Sequence, residues 1–570
     1  MIRFATKRAI EKRALLALLV FLHSLGTTSV WAAPLKQSQT RARPQENAQT
    51  PDTLDSLRER IAAHIGQPKF GSAQWGVKIV SLETGKTIFE HNPQKYFNPA
   101  SNAKLYTAAL ALEWLGADYR IRTSLYSTAR PDASGTLKAD LIVYGRGDPT
   151  MAARLNGGDY FKGFDPLITQ LASAGVRRIE GDLVADESYF AGPPFGSGWE
   201  WDDLQAYYGA EVSSLTVDDN ALDLFVKPAE RVGMPCRIST GPPTPFVTFI
   251  NRTQTAAKGS ESRIVVYRPV GENITYVSGR LSIDSSGYNT SVAVHNPASL
   301  FANLFKDALA ARGIVVTGRT RVIDWKYREV TPVDFAKLIE LGSVESMPLG
   351  DIVRETLKPS QNLYAQLLLL QVGANPQQGP GVGGGGSVEK NNAVQNPTPN
   401  PQSLIPNPYS TTEARGIESM NDFLARVGVK KGDVLLEEGS GLSRRDVITP
   451  QATVALLSYM SRSRWADLYR NALPVAGVDG TLQNRMKGTA AAGNVRAKTG
   501  SIRYVYALSG FVTTAAGEHF VFSIMLNNYS NPEAAATVRN SGTSAQRVST
   551  PRDELDAIAV MLASFTGRSQ

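Results

Sequence analysis

Three short polar motifs set the terms on which this chain can fold: Ser101-Asn102-Ala103-Lys104, Ser360-Gln361-Asn362 and Lys498-Thr499-Gly500. Taken singly each has an ordinary reading, as a polar helix start, a helix cap and a turn entering a strand. Average Ser and Lys usage alone gives roughly two chance Ser-x-x-Lys matches in a chain this long. As an ordered set they describe a serine that acylates itself, and the fold must then gather segments from opposite ends of the chain into one cleft.

The local patterns permit this. Trp75, Val77 and Ile79 alternate with polar positions, Glu83 to Lys86 turns the chain, and Thr87 to Glu90 returns. Pro99 then opens a helix whose Leu105, Ala108, Ala109, Leu112 and Leu115 share one face, with Gly116 placed to end it. Ser101 thereby falls at an amide-rich helix N-terminus. At the far end Lys498 leads into an apolar strand, Tyr504 to Thr513, which turns at Ala515-Ala516-Gly517 and returns through His519 to Leu526. The two chain ends are predicted to complete one antiparallel sheet with helices on it, which makes the catalytic domain discontinuous.

About 250 residues separate Lys104 from Ser360, enough for extra domains. This interval is strand-like, as in Leu141 to Tyr144 and Arg263 to Tyr267, with Gly-, Pro- and Asp-rich turns. The expected organisation is a signal peptide at 1–32, a flexible tether at 33–53, the first part of the catalytic domain at 54–125, inserted domains at 126–330, and the remainder at 331–570. Residues 374–408, with Gly383 to Gly386 and repeated Asn-Pro pairs, read as a disordered excursion that cannot bury enough apolar area to offset ordering.

The N-terminus points to export. Arg3, Lys7, Arg8, Lys12 and Arg13 precede an apolar run from Ala14 to Leu22, and Val30 and Ala32 suit a cleavage after Ala32. That run is shorter than the ~20 residues that span a bilayer, which disfavours a retained anchor. The expected location is the periplasm. Cys236 is the sole cysteine, so no intrachain disulfide can form. The formal charge of +8 favours peripheral association with anionic envelope surfaces. Nucleic acid is not the expected partner, since the basic residues are scattered without a binding motif.

The chemistry follows from the residue types. A serine hydroxyl is a poor nucleophile until a base takes its proton, and Lys104, one helical turn after Ser101, is within reach. It must be neutral to act, and burial with a second cation nearby, Lys498, would both depress its pKa. Ser360 can relay the proton to the leaving amine, and the Asn362 amide can hold Lys104 and the substrate backbone. The backbone N–H groups of Ser101 and Ser501 are expected to face the oxyanion. Lys498 and Thr499 are suited to grip a terminal carboxylate. No cofactor or metal is expected: the five histidines lack metal-ligand spacing, and no Gly-x-Ser-x-Gly elbow is present.

Wider segments resemble the type-4, low-molecular-mass penicillin-binding proteins, a D-alanyl-D-alanine carboxypeptidase/endopeptidase family. They include Asn98 to Thr107, Gly147 to Thr150, Lys358 to Ala365, Gly439 to Arg444, Leu473 to Leu482 and Ala497 to Ser501, and the similarity spans about residues 54–565. The resemblance implies a β-lactamase/transpeptidase-like catalytic domain interrupted by two mainly-β inserted domains, an α+β multidomain architecture. It implies peptidoglycan stem peptides as substrate and β-lactams as covalent inhibitors. It assigns Thr499, Gly500 and Ser501 to substrate binding, and Asp148 and Arg444 to the ammonium and carboxylate of diaminopimelate. This chain departs from the pattern at Gln361, usually Asp, and at Ile502-Arg503-Tyr504, usually small or polar. The competing functions are a serine β-lactamase and a catalytically silent wall-binding protein. Against the first stand the long insertion and the lack of a dedicated deacylating Glu; against the second stands the presence of all three motifs.

Overall fold

The computed structural model describes residues 52–376, 411–530 and 549–570. The expected signal segment, residues 33–51 of the tether and 377–408 of the expected excursion lie outside these. Among the described residues no helix is long and apolar enough to cross a membrane.

Both chain ends contribute to one five-stranded antiparallel sheet, ordered Arg496–Ile502, Val505–Thr513, His519–Asn527, Gln74–Ser81, Thr87–His91. The central strand His519–Asn527 is buried on both faces because its side chains alternate between two cores. Phe520, Phe522, Ile524 and Leu526 pack with Leu57, Ile61, Leu555 and Ile558 of the terminal helices Leu54–Ile65 and Pro551–Ala563. Val521 and Met525 point the other way, into a helical core.

At the centre of that core lies the helix Ala103–Leu115, led by a 3-10 turn over Ala100–Asn102 and ended at Gly116 with φ 84°. One apolar face is expected from its sequence, but every residue from Ala103 to Trp114 is buried. Helices Leu349–Leu357, Asn362–Ala374 and Thr412–Val427 pack around it. An Ala- and Leu-rich helix encircled in this way carries no polar face to read.

The inserted segment forms its own sheets and cores, giving the multidomain α+β architecture that the resemblance implies. A five-stranded mixed sheet runs Thr320–Ile323, Leu183–Asp186, Leu141–Tyr144, Arg122–Ser127, Ile339–Glu345, with the first three strands parallel. Helices Asp165–Ser173 and Pro297–Ala311 supply much of its core. Two three-stranded sheets, one of Ala221–Lys227 with its neighbours and one around Ile274–Ser282, make a smaller β unit with a separate core. The expected boundary at 126 falls within the strand Arg122–Ser127, and that at 330 falls in the connection between Thr320–Ile323 and Ile339–Glu345, all three strands of the mixed sheet. The pairing of Arg122–Ser127 with Ile339–Glu345 joins segments far apart in sequence, so neither strand alone marks a boundary.

Candidate active site

The nucleophile turn is fixed from several directions. Asn98 accepts from the Ala100 amide at 2.9 Å and donates to the carbonyls of Ser443, Arg444 and Asp446 at 3.1, 3.3 and 3.0 Å. Buried Asn102 donates to Ser509 Oγ at 2.9 Å, which ties the turn to the sheet. Ala100 adopts φ 44°, a left-handed conformation held by these contacts. Two glycines allow the close approach. A Cβ on Gly500 would fall 2.5 Å from the Pro99 carbonyl oxygen, and one on Gly441 would fall 1.9 Å from that of Ala100.

Lys104 is fully buried, and its Nζ lies 2.9 Å from Ser101 Oγ, 2.6 Å from Asn362 Oδ1 and 2.5 Å from the Ser440 carbonyl oxygen. The last two partners only accept. A neutral amine has two N–H donors and one lone pair, so donating to Asn362 and Ser440 directs the lone pair at Ser101. Burial lowers Lys104 from the usual 10.5 to about 7, against the opposing pull of the negative charge carried by the neighbouring Glu438–Asp446 pair. The expected depression by Lys498 runs the other way. Lys498 is itself held well below the ordinary range, by burial and then by the charge of Lys104.

Ser360, at φ 67°, sits between two helices and accepts from Lys498 Nζ at 2.7 Å. Asn362 opens the second helix, and one of its N–H groups donates to the Tyr208 carbonyl at 2.8 Å, a tie to the inserted segment that the sequence did not disclose. Thr499 Oγ1 lies 2.8 Å from Thr481 Oγ1. Arg496–Ile502 is an edge strand, so one side of its backbone faces away from the sheet. Ser101, Ser360, Asn362, Thr499, Gly500 and Ser501 line one cleft of about 900 Å³.

The sequence matches the D-Ala-D-Ala carboxypeptidase 3 (S13) family over residues 57–396 and 407–547. The chain belongs to this family. It is 32% identical over 566 residues to a D-alanyl-D-alanine carboxypeptidase of Actinomadura sp. strain R39, covering 97% of this chain and 90% of that protein. It is 25% identical to the D-alanyl-D-alanine carboxypeptidase DacB of Haemophilus influenzae, covering 81% of this chain and 87% of that one. Its fold is similar to the crystal structure of penicillin binding protein 4 from H. influenzae, with TM-score 0.68 and 24% identity over 88% of this chain and 97% of that one. The protein is accordingly a serine-type D-Ala-D-Ala carboxypeptidase.

In this carboxypeptidase the two residues expected to grip diaminopimelate part company. Arg444 lines the cleft, with Nε 3.1 Å from Glu200 and one Nη 3.8 Å from Asp203. Its other Nη is buried without a hydrogen-bond partner among the described residues. Asp148 is absent from the cleft wall. Its carboxylate accepts from the Thr150 amide and hydroxyl at 2.8 and 2.7 Å, its carbonyl accepts from Thr216, and burial raises it to about 6. Asp148 thus builds its own turn rather than a ligand pocket. Asp148→Asn is expected to slow penicillin and peptide reactions together, by less than about 10-fold, and to lower the Tm by a few degrees. Parallel rate and melting measurements check this.

The cleft also holds residues the sequence did not single out. Glu200, Asp202 and Asp203 lie on one wall with Tyr207 and Tyr208, while Arg503, Arg485 and Arg552 occupy another. Arg485 is paired with Asp556 at 2.6 Å. The sequence signal for the acidic wall, Glu200-Trp201-Asp202-Asp203, resembles any solvated acidic run until the fold sets it beside Arg444.

Proposed function

We propose that this carboxypeptidase acts in the periplasm on peptidoglycan stem peptides, as a DD-carboxypeptidase and DD-endopeptidase, through an acyl-enzyme on Ser101 that penicillins also form. The observation that carries the reading is the Lys104 amine, whose two accepting partners leave one position for Ser101. Neutral Lys104 takes the Ser101 proton as Oγ bonds to the carbonyl carbon of the penultimate D-Ala. The N–H groups of Ser101 and Ser501 stabilise the oxyanion. Ser360, bonded to Lys498, relays that proton from Lys104 to the leaving nitrogen, the C–N bond breaks, and Lys104 is neutral again. Water then attacks the ester, again with Lys104 as base, and Ser101 recovers its proton. Lys498 and Thr499 bind the free carboxylate of the leaving D-Ala. The N-terminal segment supports export; the β-lactam complex of the H. influenzae protein supports reaction with penicillins.

For substrate choice we assign the zwitterionic end of diaminopimelate to the wall of Arg444, Glu200, Asp202 and Asp203, in place of Asp148. Arg444 suits the carboxylate and the exposed Asp202 the ammonium. Each charge-assisted contact is worth roughly 1.5–3 kcal/mol, so Asp202→Asn or Arg444→Ala should cost about 10- to 150-fold in kcat/KM on diaminopimelate peptides. Penicillin acylation, which does not need that end, should be spared. The test is incubation with a diaminopimelate pentapeptide and a cross-linked dimer, reading products by mass. Failure to release D-Ala from the pentapeptide rejects the carboxypeptidase reading for this substrate, an uncut dimer rejects the endopeptidase reading, and equal losses toward penicillin and peptide reject the pocket.

A further inference from the structure

Directly behind Lys104 lies a pair of carboxylates that the proposed reaction steps do not use. Glu438 is 1% exposed, and its carboxylate gathers the backbone amides of the loop after it: Ser440 at 2.7 Å, Gly441, Leu442 at 3.0 Å and Ser443 at 3.5 Å. This wrapped loop carries the Ser440 carbonyl that meets Lys104, and it leads into Arg444 on the cleft wall. Gln366 braces it from the side, accepting from the Gly439 amide at 2.7 Å while donating to Glu413 at 2.5 Å. Thr107, on the helix of Lys104, donates to the Gly439 carbonyl at 2.7 Å.

Asp446 is fully buried against Glu438. One of its oxygens accepts from the Glu437 amide at 2.8 Å, while the other, Oδ2, is buried without a donor among the described residues. Two adjoining buried carboxylates do not both ionise. Four amide donors favour the anion on Glu438. A proton on Asp446, donated to Glu438, accounts for the orphaned oxygen, and burial together with the Glu438 charge pushes Asp446 up. The other charged groups around the pair are Lys104, Glu437, which is ion-paired with Arg445, and Glu413; Lys498 faces Lys104 from the sheet.

We propose that Glu438 is a positioning residue for Lys104: as the single anion of a proton-sharing pair with Asp446, it shapes the loop that presents the Ser440 carbonyl and sets the pH at which Lys104 becomes a base. The inference rests on Lys104 acting as base.

The two members of the pair make opposite predictions, which separates a charge effect from a merely structural one. The experiment measures the second-order rate of penicillin acylation from pH 5 to 10 in the full chain and in Glu438→Gln, Glu438→Asp and Asp446→Asn. Removing the Glu438 charge removes an attraction for the Lys104 proton, so Glu438→Gln should move the rising limb down by about one pH unit and cut the plateau by about 10-fold or more. Asp446→Asn replaces a neutral group with a neutral group and should leave the limb in place, with a plateau within about 3-fold. Glu438→Asp keeps the charge on a shorter arm, so the plateau should fall and the limb stay. An unmoved limb in folded Glu438→Gln overturns the proposal, as does a limb in Asp446→Asn that moves as far as in the Glu438 variant. Should Glu438→Gln not fold, Glu438→Asp and Asp446→Asn still decide: the proposal requires the limb to stay in both, and movement in either overturns it. A wild-type profile with no rising limb rejects Lys104 as base and takes this proposal with it, whereas a limb present in the wild type and unmoved in Glu438→Gln rejects only the role of Glu438.

Discussion

Ser101→Ala is expected to abolish penicillin labelling and to reduce turnover of a D-Ala-D-Ala peptide by up to about 10⁶, the scale of nucleophile deletions. The fold should survive. Ser101 is only partly buried, and its hydroxyl meets Lys104, which keeps its two other acceptors at 2.6 and 2.5 Å. The turn that carries it is held by Asn98 and Asn102 rather than by the serine. Intact-protein mass after incubation with a penicillin, together with a thermal melt, checks both halves. A label retained by the variant, for instance on Ser360, overturns the assignment.

Lys104→Arg is expected to cost about 10²–10⁴ in acylation, the usual contribution of a general base, because a guanidinium stays protonated. In the wild type, burial brings Lys104 to about 7, so acylation should climb through neutral pH as the amine loses its proton. The apparent values belong to Lys104 and Lys498 together, since the two are coupled. Stability should follow the same titration. A lysine depressed in the folded state binds fewer protons there than in the unfolded chain, so unfolding takes up protons between about 7 and the usual 10.5, and stability rises with pH across that window. The cost is fully present below about 7. Stopped-flow acylation and denaturant melts over pH 6 to 10 test the pair of statements; acylation by Lys104→Arg at the wild-type rate excludes Lys104 as base.

Much of the centre was legible in the sequence because its chemistry sits at fixed short spacings. Lys104 must follow Ser101 by one turn, and Lys498-Thr499-Gly500 must lead an edge strand, whatever else the chain does. The two sheet-forming ends were legible because His519 to Leu526 and Trp75 to Ile79 are runs that must be buried. What escaped depends on contacts between segments far apart in sequence. The backbone tie from Asn362 to Tyr208 leaves no mark on either residue. The motif of Asp148 shows that a turn is present but not where that turn faces. Glu438 and Asp446 read as two ordinary acids in a polar stretch, and only their burial beside each other gives them consequence. The edges of the inserted segment leave no mark in the sequence because the pairing of Arg122–Ser127 with Ile339–Glu345 is long-range.

That pairing also bears on how such an enzyme can change over time. Arg122 and Glu345 are direct register partners, and the Ser346 amide donates to the Ile121 carbonyl at 2.8 Å, so the inserted segment leaves and rejoins the catalytic body at a single doorway. Everything between can lengthen, shrink or be exchanged without cutting a strand of the catalytic sheet. Yet the same segment supplies the carbonyl that holds Asn362 and the acidic wall opposite Arg444. The catalytic sheet is therefore left uncut by such exchange, while part of the proposed substrate wall resides in a segment that can be traded, provided that whatever replaces it still closes on Asn362 and the helix it opens.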